Sequence, residues 1–121
     1  MEPTLVLRTA AVLLGLAATV GLSLAGIRLA REPYPPAALA MVHGFTAGAA
    51  LTLLVYAALT VGIPRVAMAG TAILALAGAI GTWLNLGFHS KQKAIPLGPM
   101  AVHALLAMTG FAVLLAALAG F

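Results

Sequence analysis

Residues 36–61 read PAALAMVHGFTAGAALTLLVYAALTV. The stretch holds no Asp, Glu, Lys or Arg, and after Pro36 nothing in it stops a helix. At about 1.5 Å per residue, such a helix is long enough to cross the roughly 30 Å hydrocarbon core of a bilayer. Hydrocarbon offers no water, so each backbone N–H and C=O must find its partner within the segment. A closed barrel is the other spanning solution, but its strands alternate apolar and polar residues, and this run does not.

The flanks repeat the pattern. Upstream, Pro33-Tyr34-Pro35-Pro36 breaks a helix, while its last proline suits the first turn of the next one. Before that linker lies an apolar run from Leu5 to Leu29, ended by Arg28, Arg31 and Glu32. Downstream, Gly62-Ile63-Pro64-Arg65 makes a short turn into a third run, Val66 to Phe88. The polar patch His89-Ser90-Lys91-Gln92-Lys93 closes that run, and a fourth starts near Pro96. Helices are therefore predicted over 5–29, 37–61, 66–88 and 97–120. The expected fold is an all-α, integral membrane four-helix bundle that occupies 1–121 as one domain, with membrane lipid as its main partner.

Composition narrows the function. Of 121 residues, 64% are hydrophobic and 7% charged, where a soluble domain needs about a quarter charged. The chain has no cysteine, which excludes disulfides, iron–sulfur clusters, thiolate metal sites and covalent c-type haem. Its formal charge of +4 comes from scattered cations rather than a basic face, so nucleic acid is not an expected partner. Glu2 and the length of the first run argue against a cleaved signal peptide.

Shifted by about 60 residues, the chain matches itself without a gap. Leu14, Leu16, Ala17, Gly21 and Leu24 fall on Leu74, Leu76, Ala77, Gly81 and Leu84. In the same register Arg31 falls on Lys91, Pro36 on Pro96, Val42-His43 on Val102-His103, and Leu54 and Ala57 on Leu114 and Ala117. Apolar coincidences are cheap in a chain this rich in alanine and leucine. A basic residue, a proline and a histidine in one register carry more weight. The expected architecture is two copies of a helical hairpin, related by an axis along the membrane normal.

That repeat sets His43 and His103 on parallel helices, each about two turns after its starting proline and so roughly 10 Å along its helix. An unpaired neutral imidazole in hydrocarbon costs about 2–7 kcal/mol, so each needs a partner. One answer is a packing histidine bonded to a carbonyl or threonine. The other is a shared ligand. Zinc or copper would recruit further Cys, carboxylate or His ligands, yet the spans lack Asp, Glu and Cys, and His89 is expected too near the surface to complete a buried site. Haem needs only two axial ligands. Small residues beside the histidines (Ala40, Thr46, Ala47, Ala50, Ala107 and Gly110) leave space for a flat macrocycle, although such stripes also serve plain helix packing. Arg28, Arg31, Lys91 and Lys93 would lie where haem propionates emerge, or serve as ordinary flanking cations. Asn85 is a candidate hydrogen-bond donor near the site or a plain helix-end residue. Met100, one turn before His103, is a core residue or a substitute ligand.

These residues resemble the arrangement of the transmembrane haem b cytochromes, including the ascorbate-reducing kind and the cytochrome b subunits of dehydrogenases. The resemblance rests on helix count and on His43 and His103. It implies one haem b per chain and electron exchange with a quinone or a redox partner protein at one membrane face, by a carrier or anchor subunit rather than a stand-alone enzyme. Those families usually hold a second histidine pair near the opposite surface. Helices one and three carry no such histidine, so a relay across the membrane is not implied.

Three other readings stay open: a small four-helix transporter, a non-catalytic scaffold or assembly subunit, and a chlorophyll-type site with one histidine ligand. A proton-coupled carrier usually needs a buried carboxylate, which is lacking. Gly44 and Gly48 form a G-x-x-x-G step, a candidate homodimer contact or an internal packing feature. Cation bias puts the histidine side in the cytoplasm and both termini outside, in what is expected to be a bacterial inner (plasma) membrane.

Overall fold

The computed structural model describes residues 2–30 and 35–121. Arg31 and Glu32 lie outside the described residues. Four helices run in order: α1, Pro3–Leu29; α2, Ala37–Tyr56, continued by a π-helical turn over Ala57–Val61; α3, Arg65–Gly87; and α4, Leu97–Leu118. A 3-10 turn, His89–Lys91, follows α3. All four helices are long and apolar enough to cross a membrane.

The prolines start the helices as expected. Pro36, Pro64 and Pro96 sit just outside α2, α3 and α4 in extended conformation, and their carbonyls accept the first helical N–H bonds, from Ala40, Met68 and Met100. The first helix begins two residues earlier than its apolar run, because the Glu2 carboxylate caps it by accepting from the Thr4 and Leu5 N–H groups. The Thr4 bond, first among the causes, holds the Glu2 carboxyl below its ordinary range. The end of the second span departs from a plain helix. Thr60 Oγ1 donates to the Tyr56 carbonyl, the Gly62 N–H reaches back to Ala57 O at 2.9 Å, and Gly62 turns the chain at φ +84°. Hydroxyls elsewhere on the outer faces, including Thr9, Thr19, Thr52, Thr82 and Thr109, bond the carbonyl one turn back. Each of these bonds satisfies a hydroxyl that would otherwise face lipid without a partner.

Helices α1 and α2 pack as one hairpin, α3 and α4 as another, and the two hairpins meet along an α1/α4 seam and an α2/α3 seam. Packing follows the repeat. Leu7, Ala10, Leu14, Ala17, Ala50 and Leu54 are buried, and so are their counterparts Ala67, Gly70, Leu74, Ala77, Gly110 and Leu114. The closest approach is within the second hairpin, where a Cβ on Gly110 would meet Leu74 Cγ at 2.7 Å. Most of this core occupies one half of the bundle: the N-terminal halves of α1 and α3 with the C-terminal halves of α2 and α4. Leu84 is the main buried side chain in the other half. The bundle is thus closed at one end and open at the other, and the open end carries the histidines.

Candidate functional site: a facing histidine pair

Each histidine is held by the helix beside it in its own hairpin. His43 Nδ1 lies 2.8 Å from Ala17 O, and His103 Nδ1 lies 2.8 Å from Ala77 O, each bond reaching back 26 residues. A carbonyl only accepts, so Nδ1 carries the hydrogen in both rings, and each neutral imidazole keeps its lone pair on Nε2. The rings fit because glycine lies beneath them. A Cβ on Gly21 would stand 2.8 Å from His43 Cε1, and one on Gly81 would stand 2.8 Å from His103 Cε1. Alanine carbonyl, glycine notch and imidazole therefore form one three-residue device, built twice.

The repeat brings the two devices together. The ring centres of His43 and His103 are 6.1 Å apart, with their planes at 85°. Among the described residues, neither Nε2 has a hydrogen-bond partner, and neither is a sealed, unsatisfied atom. Both rings face a cavity of about 800 Å³ between the hairpins, with Leu14, Ala17 and Gly21 on one wall and Leu74, Ala77 and Gly81 on the other. That volume is within the range of about 300–1,000 Å³ of small-molecule and cofactor sites. Phe111, Met100, Met41 and Met108 also line it. No cluster of three or more His, Cys, Asp or Glu forms among the described residues, so any metal held here must bring most of its own ligands.

The remaining expected site residues are divided in placement. Asn85 lines the cavity, but its hydrogen bond goes to His89, with Nδ2 3.4 Å from His89 Nδ1. His89 itself reaches the mouth of the same cavity, one turn along from Asn85, and its Nε2–H donates to Pro35 O. It was expected near the surface, and it lies just past the end of α3, half-buried. The four-residue spacing from Asn85 was the available sign that both share a helix face. Arg28 Nε donates to Ile95 O at 2.9 Å. Lys91 and Lys93 are exposed on the loop after α3 and do not line the cavity. The Ala17 and Ala77 carbonyls and Gly21 and Gly81 were not foreseen as site residues, although the repeat had paired them.

The glycine notch makes a prediction. Gly81→Ala drives a methyl group into His103, and overpacking of this kind costs about 1–3 kcal/mol. Affinity for a ligand held by His103 should fall by about 5- to 150-fold, measured by titration of the purified protein. Gly26→Ala, where a Cβ meets nothing within 4 Å, should leave affinity unchanged.

No family model, curated protein sequence or solved structure matches this chain.

Proposed function

We propose that the protein is a single-haem b membrane cytochrome in which His43 and His103 supply the two axial ligands. The observation that carries this reading is the facing pair. The ring centres are 6.1 Å apart, a separation that would let one metal ion be held by a ring nitrogen from each side. Ligating histidines characteristically donate their other ring N–H to a carbonyl or carboxylate, which fixes tautomer and orientation. Ala17 O and Ala77 O accept such bonds from His43 and His103.

Bound between them, haem would supply a one-electron ferric/ferrous couple. The residues of the chain do the rest. His43 and His103 would hold the iron between them and leave no open position for a substrate, which favours electron transfer over catalysis. Leu14, Leu74, Leu54 and Leu114 close the end of the cavity away from the histidine side, and the small residues Ala17, Gly21, Ala77 and Gly81 leave the walls flat. Arg28, Lys91 and Lys93 lie on the histidine side, and they would attract propionates or an acidic redox partner, as would Arg31, which follows Arg28 in the sequence. The expected exchange is with a quinone or a partner protein at that face. The direct test is the absorption spectrum of protein purified from haem-replete cells, where low-spin haem b with two nitrogen ligands is expected. A colourless protein would end the reading and leave a scaffold in which the carbonyl bonds simply satisfy packing histidines.

A further inference from the structure

Two polar contacts remain that the histidine pair does not use, and they are counterparts. Arg28, at the end of α1, donates from Nε to the carbonyl of Ile95, just before the proline that starts α4. His89, just past the end of α3, donates from Nε2 to the carbonyl of Pro35, just before the proline that starts α2. The acceptors Pro35 and Ile95 occupy equivalent places in the two repeats. Their donors are one position out of register, Phe88 being the repeat counterpart of Arg28. Each contact crosses from one hairpin to the other, and each lies on a different seam: Arg28–Ile95 on α1/α4 and His89–Pro35 on α2/α3.

We infer that Arg28 and His89 are reciprocal clamps that hold the hairpins together at the open end of the bundle, so that each seam is fastened at the membrane surface by one side chain. Among the described residues, the packed core fastens the hairpins mainly in the other half. Around the histidines, among the described residues, the side-chain hydrogen bonds that cross between the hairpins are these two. A ligand larger than the cavity mouth enters or leaves when a seam parts, so the clamps are positioning residues for the histidine pair. Arg28 is a charged donor and His89 a neutral one whose Nδ1 accepts from Asn85. Bonds from charged donors are the stronger kind, which makes the α2/α3 seam the easier one to open. Asn85 gains a role here that needs no direct contact with the ligand: it fixes the His89 tautomer that donates to Pro35. The first repeat has Ala25 and Leu29 at the positions of Asn85 and His89, so this clamp belongs to the second repeat alone.

The retention of haem rests on the cytochrome reading, but the closure of the seams does not, and the two are measured separately. The chain has no cysteine, so nitroxide labels go only where cysteines are introduced. One labelled pair, Ala38→Cys with Ser90→Cys, spans the α2/α3 seam; the other, Leu29→Cys with Leu97→Cys, spans α1/α4. In protein without haem, His89→Leu should lengthen and broaden the first distance and leave the second unchanged. Arg28→Met should do the reverse. His89→Gln, which keeps a side-chain N–H, should restore the wild-type distance. In the haem-loaded protein, His89→Leu should speed haem transfer to a scavenging apoprotein by about tenfold, the loss of one such bond, with His89→Gln close to wild type. Unchanged distances on both seams, or equal lengthening on both from either single replacement, would overturn the clamps whether or not haem binds. Seam-specific distance changes in a protein that takes up no haem would keep the clamps and remove the cytochrome.

Discussion

Replacing His103 by alanine is expected to remove the low-spin spectrum of the haem-loaded protein altogether, and replacing His43 is expected to do the same. The two substitutions should match because the sites match. Each ring donates from Nδ1 to a carbonyl at 2.8 Å, each rests on a glycine, and they face each other across 6.1 Å. Removing either leaves one nitrogen ligand, and the product is either a high-spin species or protein without haem. His89→Ala should keep the low-spin spectrum, since its ring is bonded to Asn85 and Pro35 instead. Met100 lines the cavity one turn from His103, so the His103→Ala, Met100→Leu double variant guards against a substitute thioether ligand. Optical and electron paramagnetic resonance spectra decide it. A low-spin spectrum that survives both single histidine replacements would reject the pair as the ligands.

Most of the fold was legible because bilayer physics leaves few options. A run the length of 37–61 without a charge is a spanning helix whatever its neighbours do, and Pro36, Pro64 and Pro96 mark the starts by their chemistry. The π-helical turn was not legible, since it depends on where the Thr60 hydroxyl and the Gly62 N–H find acceptors. Nor was the division of the bundle into a packed half and an open half. These helices are apolar nearly all round, so periodicity does not separate a lipid-facing leucine from a core one.

The candidate site divides the same way. His43 and His103 stood out because an ionisable residue in a span is costly and therefore rare. Their partners are backbone carbonyls, which leave no mark in a sequence. Gly21 and Gly81 did leave one, but a match of glycine and alanine in a chain this rich in small residues carries little weight until a ring is seen resting on it. Asn85 read either as a donor near the site or as a plain helix-end residue; in the structure it lines the cavity and bonds His89. Its depth near the end of the third helix was legible, but the acceptor it meets depends on how the His89 ring turns after the helix ends.

The second large effect expected from the proposed haem site is one of sidedness: haem bound there should be reduced from one membrane face only. All three histidines, His43, His89 and His103, lie in the open half of the bundle. The His43–His103 pair stands roughly 10 Å along its helices from that surface, which leaves about two thirds of a roughly 30 Å core beyond it. That remainder is filled by Leu7, Ala10, Leu14, Leu54, Leu74 and Leu114, which offer no redox group. Tyr56 and Trp83 are both about half exposed, and neither lines the cavity; Trp83 packs edge-on against Phe88 instead. Met68, the soft ligand in the closed half, is exposed on the outer face of α3. In sealed vesicles with uniform orientation, an impermeant reductant on the histidine side should reduce the haem fast, and the same reductant on the other side should leave it oxidised. Replacing Lys91 and Lys93 together by glutamine should slow reduction by an anionic reductant, most clearly at low salt, without changing the spectrum, because exposed cations act by steering rather than by holding the iron. Fast reduction from both faces would require a second redox centre in the closed half, where the packed leucines leave no room for one.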